Sequence, residues 1–193
     1  YELESKNQIF SIEEIEQVLK KKDCNEDLLY MVLDQLQQLN VRMIIPTIKD
    51  YLLDSRRHFF AKTLLIEIMI DQQVDEDMEV EKFGAYYHIN PSYMPLVLAQ
   101  DAYQGIGQYL ENALENDNPT MFEQCMDYLE YFLYAYYPKE IYDDKYNVVA
   151  ASIHYYVATL QSYDIDMSDL EVTYYCDESQ IQGVVLLLKQ IEV

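Results

Sequence analysis

Tryptophan is absent from this 193-residue chain, and glycine and proline are rare, at 4 and 5 residues. A fold of many strands needs many tight turns, and so few turn-forming residues disfavour it. Long stretches are instead rich in leucine, glutamate, glutamine, lysine and methionine, which favour helices. The composition therefore predicts a largely helical protein.

Positive charge is also scarce, because 13 basic residues face 35 acidic ones and give a net charge of -22. Such a charge repels nucleic-acid phosphates and anionic lipid head groups. The longest apolar runs, at 131–137 and 184–188, are far shorter than the roughly twenty residues of a membrane-spanning helix. Half of the residues are apolar, which suffices for a folded core. We therefore expect a folded protein that binds neither nucleic acid nor a membrane.

The three cysteines, Cys24, Cys125 and Cys176, are widely spaced and form no CxxC pair. An odd number at such spacing argues against a disulfide framework and against a zinc site. We expect free, buried thiols in a reducing cytoplasm. No signal peptide is predicted, since the first residues lack a basic segment followed by an apolar one.

Apolar residues recur at helical spacing through the first part of the chain. Ser11 and Glu14 form a capping box, which predicts the start of the first helix. The predicted helices of this region cover 12–21, 28–39, 45–52 and 56–72. The last is apolar on more than one face, as is typical of a helix packed between others.

A change of period follows. Residues 77–83 alternate between apolar and polar, Gly84 interrupts them, and the alternation resumes until Asn90 and Pro91. This pattern predicts one β-hairpin near 77–90. Because an isolated hairpin is only marginally stable in water, we expect it to pack against the helices.

Helical spacing then returns. A long helix is predicted from Ser92 or Pro95 to Leu114, and Gly105 and Gly107 near its middle would allow close contact with another helix.

Four further helices are predicted. Asn118 as N-cap with Pro119 at the first helical position starts one that ends before Pro138. The second covers 142–160. The third is a short helix that starts with a capping box of Ser168 and Glu171, and the fourth covers 178–191 after the cap Asp177.

Together these elements predict an all-α fold of stacked antiparallel helical hairpins with one small β-hairpin insertion. The predicted division is a helical region at 1–76, the hairpin at 77–91 and a second helical region at 92–193. The last helix pair has the outline of a helix-turn-helix, but its second helix offers only one basic residue, Lys189. We interpret this pair as a packing unit rather than as a DNA reader.

Sequence motifs for catalysis are missing. None of the 3 histidines follows a glutamate by three positions, which argues against a di-iron carboxylate site, and no HExxH zinc motif occurs. Gly105 and Gly107 lack the third glycine and the preceding strand of a dinucleotide-binding loop. The acidic run over 71–81 lacks the spacing of a calcium loop and is interpreted as a solvated face. We predict no catalytic, cofactor-binding or metal-binding residue.

Tyrosine is the most unusual component, since 20 of the 26 aromatic residues are tyrosines. Each ring combines apolar area with a hydroxyl that needs a partner, so one helix with five of them at 128–137 cannot bury all in a dry core. We predict an acid-rimmed groove for a basic or apolar peptide. The alternative is that tyrosine only replaces phenylalanine and leucine at half-buried positions. The candidate partner-binding residues are Tyr103, Tyr128, Tyr131, Tyr134 and Tyr137.

Several segments resemble tetratricopeptide-repeat-containing cytoplasmic proteins of Gram-positive bacteria, namely 62–75, 79–84, Asn90-Pro91, 115–122 and Tyr137-Pro138. The resemblance implies an all-helical scaffold or adaptor of the α-α superhelix type without catalytic residues. The tryptophan, Leu-Gly and tyrosine signature of that repeat is absent, and 40–73 is equally similar to a HEAT helix pair.

The resulting hypothesis is a non-enzymatic interaction scaffold or adaptor of the bacterial cytoplasm that binds a protein or peptide. Two alternatives remain open. One is a transcriptional regulator that uses the last helix pair, and the other is an enzyme whose site forms only in the fold.

Overall fold

The structure is a computed structural model that describes residues 9–192. Over that range it contains nine α-helices, short 3-10 turns and one two-stranded antiparallel sheet. The predicted all-α fold with one β-hairpin insertion is confirmed. The chain divides into two compact units, one up to Leu96 and one from Val97 onward, and the hairpin belongs to the first.

Four helices build the first unit. The Ser11–Glu14 capping box is confirmed, with Glu14 N–H donating to the Ser11 hydroxyl and Ser11 N–H donating to the Glu14 carboxylate. Contacts join α1 to α2 and α3, and α4 to α2 and α3. The helices are α1 (Ile12–Lys20), α2 (Glu26–Leu36), α3 (Ile45–Leu53) and α4 (Phe59–Asp71).

Two predicted helix bounds in this unit are wrong by about one turn. The second helix ends at Leu36 rather than at 39, and Asn40 instead caps a 3-10 turn over Val41–Ile44. The fourth begins at Phe59 rather than at 56, because His58 Nδ1 accepts the N–H of Phe60 as an N-cap.

The β-hairpin pairs β1 (Met78–Lys82) with β2 (Ala85–Ile89), in a register that sets Met78 opposite Ile89. The two turn residues Phe83 and Gly84 both have positive φ, 52° and 79°, as the commonest two-residue hairpin turn requires. Strand β1 packs against α3. The hairpin therefore lies against the helices. This confirms the expectation based on the marginal stability of an isolated hairpin in water.

A buried ionic cluster fastens β1 to α4. Lys62 Nζ donates to the Glu81 carboxylate and to the Glu81 carbonyl, both at 2.7 Å. Next to it, Lys82 Nζ donates to the Thr63 hydroxyl. Burial and then the charge of Lys62 lower the pKa of Lys82 well below its usual value. Burial favours a higher pKa for Glu81, but hydrogen bonds from Lys62 and the N–H of Gly84 hold it below the ordinary value.

The acidic residues of the run at 71–81 other than Glu81 are exposed, as the interpretation of a solvated face expects, and this cluster corrects that interpretation at Glu81 alone. Glu79 is exposed, but Glu81 is only 4% exposed because it points into the core toward Lys62. Asp75 and Asp77 accept from the Asn90 amide, and Glu76 pairs with Lys49. Part of the run thus serves the packing of the hairpin.

Five helices build the second unit, and α7 lies at its centre, in contact with all four others. The predicted caps Asn118 and Asp177 are confirmed, the latter in a capping box with Gln180. The helices are α5 (Asp101–Leu114), α6 (Pro119–Tyr136), α7 (Tyr146–Leu160), α8 (Met167–Tyr174) and α9 (Glu178–Ile191).

Two predictions for this unit are wrong. The long helix begins at Asp101 rather than at 92 or 95, because 91–93 and 97–99 form separate 3-10 turns with extended backbone at Met94. The cap of the short helix is Asp166, which accepts from the N–H and hydroxyl of Ser168, so Ser168 is not the cap. Its position two residues later makes it a donor to the true cap.

Both glycines of α5 lie in close helix contacts, as predicted. A Cβ at Gly105 would stand 2.3 Å from the ring of Tyr146 on α7, and one at Gly107 would stand 3.1 Å from Met126 on α6. The missing side chains therefore allow α5 to approach its two neighbours.

Gly105→Ala should destabilise the protein by about 1–3 kcal/mol, since the new methyl displaces the Tyr146 ring. Gly183 is the matched control, because it also lies inside a helix but has open space around it. Gly183→Ala should stabilise by about 0.5–1 kcal/mol. Urea denaturation measures both, and equal effects of the two alanines would contradict this packing.

Lys62→Met and Glu81→Gln should each lower the free energy of unfolding by about 3–5 kcal/mol, since each leaves the buried charge of the other residue without its opposite charge. The double variant Lys62→Met/Glu81→Met should recover much of that loss, because an apolar pair needs no charge compensation. Urea denaturation again provides the measurement. A loss below about 1 kcal/mol in both single variants would show that the buried pair does not hold the hairpin.

Candidate functional site

The five candidate tyrosines divide into separate environments. Tyr103 lies on α5, and Tyr128, Tyr131 and Tyr134 lie on α6, all four half-buried. Tyr137 follows α6 and is only 2% exposed. The structure brings Tyr128 and Tyr131 together, with ring centroids 5.9 Å apart. Tyr137 instead belongs to the core, where its ring offers little area to a partner.

Tyr128 and Tyr131 belong to a tyrosine cluster that also includes Tyr156 and Glu192. The ring centroid of Tyr156, on α7, lies 5.5 Å from that of Tyr128. The Tyr156 hydroxyl donates to the Glu192 carboxylate, and burial followed by this bond raises the pKa of Tyr156 to about 12. Tyr156 and Glu192 were not predicted as members of this cluster, since neither lies near 128–137 in the chain.

The hydroxyl of Tyr128 is the unusual group of this cluster. It is buried and has no hydrogen-bond partner of normal geometry among the described residues. Burial, and after it the negative charge of Glu192, raises the pKa of Tyr128 far above the ordinary value. A hydroxyl in this state stays protonated, so the cluster offers no phenolate for chemistry.

A second arrangement, the acidic tyrosine face, consists of Tyr103, Asp127 and Glu130. The Tyr103 hydroxyl donates to Glu130 Oε1 at 3.0 Å. Burial, then the hydrogen bond and charge of Glu130 and the charge of Asp127, raise the pKa of Tyr103. Asp127 is exposed and Glu130 half-buried. This face therefore presents a neutral aromatic ring beside two carboxylates.

A cavity of about 290 Å³, the apolar pocket, opens beside the second half of α6. Its walls come from α6, the 137–145 connection, the start of α7 and α9. Most of the lining side chains are apolar, and the charged ones are Lys139, Glu140 and Lys145. The apolar lining comprises Phe132, Tyr136, Ile141, Tyr142, Val148, Val149, Val184 and Leu187.

The sequence analysis missed the apolar pocket. A signal was present in the apolar run at 184–188, of which Leu186 and Leu187 are 62% and 40% exposed. An exposed leucine pair on a helix that also buries Val185 and Leu188 indicates apolar contact on a second face. The cavity itself forms only because α6 and α7 pack beside this part of α9, and local sequence does not show that packing.

Each of the three histidines has a contact with neighbouring residues that accounts for its position in the fold. His58 caps α4, and His88 is exposed with its Nε2 3.4 Å from the Glu79 carboxylate. His154 is half-buried on α7, with Nδ1 2.9 Å from the hydroxyl of Tyr174. Burial lowers the pKa of His154 to about 4, so it is neutral at neutral pH. Its hydrogen-bond partner is a tyrosine, and no carboxylate bonds to it in the part of the chain that the structure describes.

The cysteines are free thiols. Cys125 is buried, and this burial raises its pKa to about 12. Cys24 and Cys176 are only half-buried, so the expectation that all three are buried is wrong for these two. They lie beside a helix start and a helix end, where less of the chain covers a side chain.

Residues 9–192 contain neither a candidate metal site nor a candidate membrane span. No group of three or more histidine, cysteine, aspartate or glutamate side chains there is placed to hold a metal ion. None of the helices in that range has the length and apolar character to cross a bilayer.

Comparison with known proteins gives one informative match. The chain is 24% identical over 164 residues to the TPR repeat-containing protein YsoA of Bacillus subtilis (strain 168). The match covers 83% of this chain and 48% of that protein, so the chain spans about half the length of this relative. No family model matches the chain, and no solved structure does. Over most of its length the chain is thus similar to a tetratricopeptide repeat-containing protein of a Gram-positive bacterium, as its sequence predicted.

Proposed function

We propose that the chain is a non-enzymatic helical-repeat scaffold or adaptor that binds a protein or peptide partner. The similarity to a TPR repeat-containing protein supports this role, as do helices packed in consecutive neighbouring pairs. Stacked helical repeats present extended surfaces suited to other chains. The net charge of -22 supports a role apart from nucleic acid and lipid surfaces.

The acidic tyrosine face is the observation that supports a specific binding surface. A lysine or arginine of a partner can approach the carboxylates of Asp127 and Glu130 while its stem lies on the Tyr103 ring. Tyrosine adds contact area with few rotatable bonds, which limits the entropy lost on binding. The proposed partner segment is therefore basic, with apolar residues for contact with the half-buried Tyr134.

Tyr128 and Tyr131 contribute to the proposed surface mainly by packing rather than by contact with a partner. Their rings contact each other, and Tyr128 also contacts Tyr156, so they form a rigid base at one side of α6. Only their exposed edges are available to a partner. Tyr137 is too deeply buried to contribute except through the packing of the α6 end.

Reversal of both carboxylates, Asp127→Lys with Glu130→Lys, should lower recovery of the partner from a lysate of the source organism about tenfold or more. Two lost charge contacts of about 0.7 kcal/mol each account for that factor. The matched control reverses two exposed loop carboxylates of the same unit, Asp117→Lys with Asp164→Lys, and keeps the same net charge. Quantitative mass spectrometry of the bound fraction is the measurement.

The control should retain the partner, and the recovered proteins should share basic segments and elute with salt. Far-ultraviolet circular dichroism verifies that both variants stay folded. Equal recovery by the two double variants would contradict the acidic tyrosine face as the binding surface. Absence of any protein enriched over bare resin would contradict the scaffold role.

A further inference from the structure

The apolar pocket concentrates the rare positive charge of the second unit. From Val97 onward the sequence has 3 basic residues, Lys139, Lys145 and Lys189, against 17 acidic ones. Two of the three lysines line the pocket, whereas Glu140 is its one acidic lining residue in the part of the chain that is described. The pocket thus differs in charge from the acidic surface around it.

Both lysines are placed to meet a ligand. Lys139 Nζ lies 5.2 Å from the centroid of the Tyr136 ring, which also lines the pocket. Lys145 pairs with Asp144 at 3.5 Å, but both side chains are more than half exposed, at 59% and 68%. Such an exposed pair is weak, so a ligand carboxylate can replace Asp144 at small cost.

The walls of the pocket suit one bulky apolar side chain. Val148 and Val149 are buried on α7, and Leu187 and Tyr142 are 40% and 68% exposed. A volume of about 290 Å³ lies at the lower end of the range for ligand sites and holds one large side chain rather than an extended cofactor.

From the pocket's shape and charge together, we infer that it binds a short acidic segment of a partner protein. The segment inserts one large aliphatic or aromatic side chain between α6, α7 and α9, and places a carboxylate beside Lys139 and Lys145. Apolar burial provides the anchor, while the two ammonium groups select acidic over basic sequences.

The preference of this pocket is opposite to that of the acidic tyrosine face, and the two share no residue. The inference therefore stands without the proposed function, because it depends on other side chains and on ligands of the opposite charge. A scaffold with both surfaces would hold one basic and one acidic partner segment on the same unit.

Selection of random peptides displayed on phage against the purified full chain tests this inference. Enriched peptides should contain a large apolar residue within two positions of aspartate or glutamate. Their affinity for the chain is measured by fluorescence anisotropy with labelled synthetic copies.

Two matched pairs of variants locate the binding. Lys145→Glu should weaken the selected peptides about tenfold, whereas Lys189→Glu, the same charge change on a lysine outside the pocket, should leave affinity within about twofold. Leu187→Asp should weaken binding of the peptides about tenfold. Leu186→Asp changes the preceding residue of α9, which is outside the lining, and should leave their affinity within about twofold.

Three outcomes would overturn the inference. One is enrichment of basic peptides, the second is enrichment no better than on a blank surface, and the third is equal affinity within each variant pair. Basic peptides that lose binding only in the Asp127→Lys/Glu130→Lys variant would support the proposed function while refuting the pocket. The failures of the two hypotheses are therefore distinguishable.

Discussion

The second unit depends on the burial of helix α7 among four other helices. Its sequence is apolar on almost every side, and small residues such as Ala150 and Ala151 leave room for its neighbours. The buried Ser152 hydroxyl of α7 donates to the carbonyl of Val148 and has the carbonyl of Ile181 as a second acceptor, so this hydroxyl is not left without a partner. The contact of Gly105 with Tyr146 brings α5 against the same helix. Because α7 is closely packed on nearly all sides, it fixes the positions of the four helices in contact with it.

Both candidate binding surfaces are built on this helix. Val148 and Val149, near its start, form part of the apolar pocket, and Tyr156, near its end, supports the tyrosines of α6. α5 and α6 also contact α7, and they hold Tyr103, Asp127 and Glu130 in place. The unit thus presents an acidic face and a lysine-lined pocket at fixed positions. The proposed scaffold role depends on both surfaces being held in these positions.

The sequence predicted what depends on nearby residues. Ser11 with Glu14, Asn118 with Pro119, and the turn at Gly84 act within four positions, so their patterns sufficed for the helix starts and the hairpin. It failed where the deciding contact is distant. The Lys62–Glu81 pair spans 19 positions, and the burial of Tyr137 beside half-buried Tyr134 depends on tertiary neighbours. The apolar pocket needed three helices to converge, which no local spacing indicates.

Amide hydrogen exchange along the second unit tests the central role of α7 most directly. If α7 is the element on which the unit depends, its amides should exchange slowest and only through cooperative unfolding, with α5 and α9 next and the short α8 fastest. Mass spectrometry of peptic fragments resolves these helices. Exchange of α7 as fast as that of α8 would contradict a rigid central helix, and with it the fixed geometry of both surfaces.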